Sequence, residues 1–168
     1  MKSNVLYIGE SHSAIDEKGR VLLPASIRQT ASQLDHDTWY LTGGFDKSIF
    51  AFPSQKWHPL VDKLQSKSTL DPEYNDFLLF FTGMCGKTKV DTQGRLAIPA
   101  SLREYAGVER EAVVLGVVDH LQFWNKESWR AFQGRRASHY REMATRLFGN
   151  LLSEGPSAAT MGESRHED

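Results

Sequence analysis

The sequence contains little cysteine and no long hydrophobic run. Cys85 is the single cysteine of the 168 residues, so the chain cannot form an internal disulfide or supply a cysteine pair for zinc. No segment approaches the roughly 20 continuous apolar residues of a membrane helix, and residues 1–10 lack the apolar run of a signal peptide. We therefore expect a cytoplasmic protein without a membrane partner, and we interpret Cys85 as a small buried hydrophobe.

The chain also lacks an excess of charge of either sign. It has 20 Lys and Arg against 21 Asp and Glu, a formal net charge of −1, so composition alone does not indicate a nucleic-acid partner. Basic residues are instead clustered locally, in residues 87–103 and 130–146. The second cluster contains Arg130, Arg135, Arg136, Arg141 and Arg146 with Glu142 as its only acid. We interpret it as the solvated face of a helix.

Motifs of known enzyme classes are missing from the sequence. The histidines are scattered, and no His-Glu-x-x-His, Gly-x-Ser-x-Gly or phosphate-loop pattern is present. Asp16 and Asp91 could act as a general acid and base if the fold brought them together. The use of both as turn-forming residues is the better interpretation, so we expect no catalysis and no metal, cofactor or small-molecule ligand.

An internal repeat organises the chain. Residues 16–28 align without a gap on residues 91–103. The identical pairs are Asp16/Asp91, Gly19/Gly94, Arg20/Arg95, Pro24/Pro99, Ala25/Ala100, Ser26/Ser101 and Arg28/Arg103. Two copies are too few for a solenoid, so we expect a pseudo-symmetric pair that shares one core.

Each copy has the pattern of a hairpin followed by a short helix and two further strands. The turn glycine supplies the left-handed conformation of the hairpin, and the proline is expected at the first position of the helix. We predict these helices over Ala25–Ala31 and Ala100–Ala106, the second ending at Gly107. The composition of strands and helices predicts an α+β fold.

Further helices are predicted outside the repeated motif. One begins at Asp71-Pro72 and ends at Gly83, with aromatic residues at helical spacing that we assign to a core-facing side. Another is capped by Asn125 and continues toward Phe148. The predicted boundaries are 5–57 for the first repeat, 58–83 for a helical connector, 84–129 for the second repeat, 130–150 for a C-terminal helix and 151–168 for a disordered tail.

The two turns carry the residues of functional interest. Asp16 and Asp91 can accept hydrogen bonds from backbone N–H groups two residues on, and Gly19 and Gly94 complete the turn shape. The arginine that closes each turn could pair with its own aspartate or reach outward. A guanidinium on a rigid hairpin can bind phosphate bidentately or contact guanine in the major groove, and this chemistry favours an outward role.

At these residues the chain resembles the MraZ family, whose members carry two SpoVT/AbrB-type modules with an Asp-x-x-x-Arg motif, a short apolar strand and a proline. The resemblance covers roughly residues 5–148. The family usually begins with an aromatic-Arg-Gly-Glu element, whereas this chain has Tyr7-Ile8-Gly9-Glu10. Ile8 therefore departs from the family pattern.

The resemblance implies a swapped-hairpin β-barrel made by both repeats. It also implies a ring-shaped homo-oligomer in the nucleoid that binds spaced direct repeats in promoter DNA and regulates its own division and cell-wall gene cluster. Carried to this sequence, the DNA-contacting role falls on Arg20 and Arg95, with Lys18 as a further candidate.

Two other classes of function remain open at this point. One is a non-enzymatic structural oligomer that organises a protein partner, and the other is a hydrolytic enzyme that uses Asp16 and Asp91. Basic hairpin tips favour the DNA-binding hypothesis over both.

Overall fold

The computed structural model describes residues 5–66 and 71–149, and the predicted tail at 151–168 lies outside these residues. The described chain is a mixed α+β structure, as predicted. Its strands are β1 (Tyr7–Ala14), β2 (Arg20–Leu22), β3 (Thr38–Gly43), β4 (Ile49–Pro53), β5 (Gly86–Lys89), β6 (Arg95–Ala97), β7 (Glu111–Val118) and β8 (His120–Trp124). Its helices are α1 (Ala25–Gln33), α2 (Ser54–Gln65), α3 (Pro72–Gly83), α4 (Ala100–Ala106), α5 (Lys126–Ala137) and α6 (Tyr140–Phe148), with a short 3₁₀ turn at Phe45–Lys47.

The chain divides into two compact units, Met1–Ala131 and Phe132–Asp168. The first unit holds both repeats and all the strands listed above. The described part of the second unit holds the end of α5 and the whole of α6. None of the helices within the described residues is long and apolar enough to cross a membrane.

Six strands form one antiparallel sheet in the order β1-β7-β8-β4-β3-β5, and β2 and β6 form a separate two-stranded ribbon. The closed barrel implied by the family resemblance is not present in residues 5–66 and 71–149, because β1 and β5 lie at opposite edges of the sheet and do not pair with each other. The two ribbon strands have three residues each, and single isolated bridges, Ile15 with Val21 and Val90 with Leu96, link them to the segments that follow β1 and β5.

The repeated prolines set the start of the repeated helices. Pro24 and Pro99 occupy the N-cap positions of α1 and α4. The sequence pattern places them at the first helical position, so each helix begins one residue after its proline. Their ψ angles of 147° and 141° are extended, which ends the preceding strand segment before the helix begins at the next alanine. Gly107 ends α4 in the left-handed conformation (φ 64°, ψ 31°), as predicted.

The ribbon and the two repeated helices bury equivalent residues from both copies. The paired positions Val21/Leu96, Leu23/Ile98 and Ile27/Leu102 are all at most 4% exposed. Side chains alternate between faces along a strand, so Leu22, between two buried neighbours, is 48% exposed. Both repeats therefore contribute to one core, as expected of a pseudo-symmetric pair.

The connecting and C-terminal helices differ from their predictions in packing and length. In α3 only Phe81 is buried, while Phe77 is 37% and Leu79 72% exposed. A column of aromatic rings runs from Phe77 and Phe81 through Trp57 of α2 to Tyr40 of β3, and the hydroxyl of Thr42 in β3 donates to Phe81 O. The helix predicted from Asn125 toward Phe148 is two helices, interrupted at residues 138 and 139.

Candidate nucleic-acid interface

The first turn is held together by the carboxylate of Asp16. Its Oδ1 accepts backbone hydrogen bonds from Lys18 (3.0 Å) and Arg20 (2.9 Å), and its own N–H and C=O bond to Arg20 and Gly19. Gly19 has a φ of 75°, a conformation that a side chain disfavours. The local sequence Asp-x-x-Gly-Arg is thus sufficient to specify a tight hairpin tip.

The second turn repeats this geometry. Asp91 Oδ1 accepts from the backbone N–H groups of Gln93 and Arg95 at 2.9 Å each, and Gly94 has a φ of 77°. In the tip itself, Gln93 stands where the first turn has Lys18. Both of these tip residues are exposed, so the two turns share a backbone and differ in the side chains that they present.

The tertiary structure places the two turns side by side. Strands β2 and β6 pair in antiparallel register, with Arg20 opposite Ala97 and Leu22 opposite Arg95. Each strand also bonds to the turn of the other copy: Leu23 N–H donates to Gly94 O (3.0 Å) and Ile98 N–H donates to Gly19 O (2.9 Å). A pseudo-two-fold relationship therefore brings together residues that lie about 75 positions apart in the sequence.

Arg20, Arg95, Asp16 and Asp91 form a crossed ion-pair cluster between the turns. Within each turn, Arg20 Nε donates to Asp16 Oδ2 at 2.8 Å, and Arg95 Nε donates to Asp91 Oδ2 at 2.9 Å. Between the turns, Arg20 Nη1 lies 3.5 Å from Asp91 Oδ2, and Arg95 Nη1 lies 3.7 Å from Asp16 Oδ2. The cluster has two positive and two negative groups, so its formal charge is zero.

The arginine side chains of this cluster remain accessible to a ligand. Their exposed fractions are 27% for Arg20 and 26% for Arg95. A guanidinium has more N–H donors than the carboxylate contacts of either arginine use, so donors remain for an outside acceptor. The aspartates fix the orientation of both side chains, which reduces the entropy that a ligand contact would cost.

The pKa values of Asp16 and Asp91 are shifted in the same direction by equivalent contacts. Hydrogen bonds from the backbone N–H of Arg20 and of Arg95, helped by their guanidinium groups, lower the pKa of Asp16 and of Asp91 below the ordinary value of 3.8. A general acid and base pair needs two carboxyl groups whose pKa values are pushed apart. Here both pKa values move in the same direction, downward.

The structure adds two basic residues that the turn motif alone did not assign. Arg28 of α1 packs against Gly94, and Arg103 of α4 packs against Gly19, so each turn is covered by an arginine from the other repeat. A Cβ atom at either glycine would collide with that side chain. In residues 5–66 and 71–149, neither Arg28 nor Arg103 forms an ion pair with a carboxylate. Their recurrence at equal positions in the repeat is the sequence signal that could have identified them.

Ile8, where the chain departs from the family pattern, lies on the edge strand β1. Its side chain is 74% exposed, and the next residue, Gly9, has a φ of 103°. Two positions on, the Glu10 carboxylate accepts a 2.9 Å hydrogen bond from Trp129 Nε1 and lies 3.4 Å from His12. Ile8 is therefore an exposed apolar residue on the strand that also carries Glu10 and His12.

The fold and site define a protein of two pseudo-symmetric repeats with paired Asp-x-x-x-Arg turns. The family model described as "MraZ protein, putative antitoxin-like" matches residues 6–80 and 84–151, which together cover most of the chain. The chain belongs to the MraZ family.

Curated relatives match along most of their length. The Transcriptional regulator MraZ of Pelotomaculum thermopropionicum is 36% identical over 142 residues, which are 84% of this chain and 95% of the relative. The proteins of the same name from Heliobacterium modesticaldum and Lactiplantibacillus plantarum are each 32% identical over 142 residues. These matches cover 84% of this chain and 96% and 98% of the two relatives.

Proposed function

We propose that this protein is a transcriptional regulator that binds double-stranded promoter DNA in a sequence-specific manner. The observation that carries the proposal is the pair of adjacent hairpin turns, in which Arg20 and Arg95 are oriented by aspartates and remain accessible. The names of the relatives support the regulatory role. The crossed pairing of the turns supports the swapped-hairpin arrangement implied by the resemblance.

In this proposal the residues of the turns have different tasks. Asp16, Gly19, Asp91 and Gly94 shape the turns. Arg20 and Arg95 contact DNA through their remaining donors, because a guanidinium can bind phosphate or guanine bidentately. Lys18 at the first tip contributes a mobile cation.

Arg28 and Arg103, which lie against the turns, extend the same basic surface. A surface made of two turns is small, and its own acids offset much of its charge. Several copies in a homo-oligomeric ring, bound to spaced direct repeats, would raise the affinity through multivalency. We propose that the target is the promoter of the protein's own division and cell-wall gene cluster, which would place the protein in the cytoplasm at the nucleoid.

The test is a titration of the purified protein against a duplex from upstream of its own coding sequence and an unrelated duplex of equal length. We expect wild type to prefer the upstream duplex, and Arg20→Ala and Arg95→Ala to lose that preference. Arg20→Lys and Arg95→Lys keep the charge but lose the bidentate fork, so we expect them to lose preference while retaining weak binding to both duplexes.

Arg20 and Arg95 also form ion pairs with Asp16 and Asp91, so their substitution can change stability as well as DNA binding, and the two effects have to be measured separately. Lys18→Gln and Arg28→Gln remove charges outside the cluster, so they should weaken DNA binding while the melting temperature stays at the wild-type value. Equal affinity of wild type for both duplexes would refute sequence-specific binding. If wild type binds neither duplex, protein-partner organisation becomes the better hypothesis, and light scattering of the same sample would show whether an oligomer forms at all.

A further inference from the structure

A second basic surface lies in the unit that contains α6. The corner between α5 and α6 consists of two residues, and the backbone N–H of His139 donates to Arg136 O (3.0 Å) across it. The last turn of α5 and the face of α6 beside it enclose an open groove of about 400 Å³. Its lining residues are Arg135, Arg136, His139, Glu142, Met143 and Arg146.

Cationic groups dominate the groove, with three arginines against one glutamate. Within residues 132–149, Arg136 and Arg146 form no ion pair. The guanidinium of Arg136 lies 5.9 Å from the centroid of the Phe132 ring, which restrains it by a cation–π contact and leaves its donors available. All of the groove arginines are exposed. The groove can therefore accept a polyanion without first breaking a carboxylate contact of Arg136 or Arg146.

The charge of the rest of the protein indicates which polyanion is favoured. The turn cluster is formally neutral and the chain has a net charge of −1, whereas affinity for duplex DNA depends on how many phosphates are neutralised. Beside that cluster the turn surface offers only a few further cations, Lys18, Arg28 and Arg103, so cations elsewhere would add affinity, and guanidinium groups match the geometry of phosphate oxygens.

We propose that the groove between α5 and α6 binds phosphates of the DNA backbone and supplies sequence-independent affinity. This inference rests on the proposed DNA-binding function and adds a contact outside both repeats. The turns would then select the sequence, and the groove would strengthen binding to any duplex.

The experiment compares Arg136→Gln/Arg146→Gln with the control Arg130→Gln/Arg141→Gln. The two double variants remove the same charge from the same two helices, but Arg130 and Arg141 do not line the groove. Affinity for the upstream duplex and for the unrelated duplex is measured at several salt concentrations. We expect the groove variant to weaken binding to both duplexes by a similar factor and to reduce the slope of log K against log salt by about 2, near 0.9 for each lost phosphate contact.

The control variant should retain a slope close to wild type. An equal loss in both double variants would overturn the groove as a site, because general charge would then explain the effect. An unchanged slope in the groove variant, with the preference for the upstream duplex intact, would overturn this inference alone. Failure of wild type to bind any duplex would overturn the proposed function as well.

A different polyanion is tested in the same samples with vesicles of anionic phospholipid. Binding of wild type to vesicles that is lost in the groove variant, together with an unchanged DNA slope, would assign the groove to a membrane surface and overturn the DNA contact. Circular dichroism of both double variants at equal concentration checks that α5 and α6 are retained, since glutamine is a good helix former.

Discussion

The two hairpin turns have nearly the same backbone and different surfaces. Both have an aspartate that accepts two backbone N–H bonds and a glycine with a φ of 75° or 77°. The tips carry Glu17-Lys18 in one copy and Thr92-Gln93 in the other. Each tip pair has zero net charge, but the first offers mobile ions and the second offers neutral hydrogen-bonding groups. The duplicated scaffold has thus kept its shape while its two contact surfaces have become chemically different.

The largest expected effect tests whether the two copies contribute equally to the core. Leu23→Ala and Ile98→Ala remove equivalent side chains that are 0% and 3% exposed. Each should lower the free energy of unfolding by about 2–5 kcal/mol, because it leaves a cavity in a shared core. Urea denaturation measures this, with Leu22→Ala as the exposed control. A large loss in one variant and almost none in the other would contradict a core built equally by both copies.

Substitution of the turn glycines should reveal a smaller difference in stability between the two repeats. Gly19→Ala and Gly94→Ala each force a side chain into the left-handed conformation, which costs about 1–2 kcal/mol, and each also displaces an arginine. We expect the greater loss of stability at Gly19, because the half-buried Arg103 beside it donates to Ile98 O at 3.3 Å, whereas Arg28 beside Gly94 is exposed.

Thermal unfolding of both glycine variants measures this difference. Gly134→Ala is the matched control, since its added Cβ would meet no atom within 4 Å beyond the neighbouring backbone of its own helix, α5. It should raise stability slightly, as alanine is the better helix former. Equal losses at Gly19 and Gly94 would show that the arginine contacts are equivalent in energy.

The tips should differ in the salt dependence of DNA binding. Lys18→Gln makes the first tip more like the second, and we expect the slope of log K against log salt to fall by about 1, as for one phosphate contact. Gln93→Ala removes a neutral group and should leave the slope unchanged while altering the preference between duplexes. A slope change in Gln93→Ala equal to that in Lys18→Gln would remove the proposed distinction between the tips.

The loops after α1 and α4 should differ, by a smaller amount, in how their contribution to the free energy of unfolding depends on pH. His36 is buried after α1, where its Nδ1 and the Tyr7 hydroxyl are 2.8 Å apart, while the loop after α4 buries Val108. Burial lowers the pKa of His36 below 6.5. The positive charge of Lys56 lowers this pKa further, whereas the negative charge of Asp35 raises it. His36 therefore takes up a proton more readily in the unfolded chain than in the folded chain. Its contribution to the free energy of unfolding is complete above about pH 6.5 and is lost as the pH falls below that value.

We expect the free energy of unfolding of wild type to decrease between pH 6.5 and 5 and that of His36→Gln to decrease less. Denaturant titrations across this range measure both proteins. The lowered pKa values of Asp16 and Asp91 act in a separate window, because their stabilisation is present above about pH 3.8 and is lost on further acidification. An identical pH profile in the two proteins between pH 6.5 and 5 would exclude His36 as the source.

Much of the fold was predictable because its signals are local. The caps at Asp71 and Asn125 and the stop at Gly107 depend on chemistry within a few residues, and the structure has all three. The core-facing side of α3 was less predictable. Helical spacing shows which residues share a face, but how much of that face is covered depends on tertiary packing, which here buries Phe81 alone among the residues of α3.

For the candidate site, the sequence was sufficient to find the turns but not their environment. The motif left open whether Arg20 and Arg95 pair with aspartate or face outward, and the structure shows that each contacts two carboxylates while retaining partial exposure. Arg28 and Arg103 were visible as a repeat, yet their positions over Gly94 and Gly19 depend on how the copies are interleaved.

The duplication and the shape of each turn follow from local sequence, because Asp, Gly and Pro act on backbone within about five residues of themselves. Long-range packing sets the remaining features: the two turns lie together, their ion pairs cross, and the sheet does not close into a barrel in the described residues. These features depend on contacts between residues about 75 positions apart, where burial of the shared apolar core, rather than local preference, selects the arrangement.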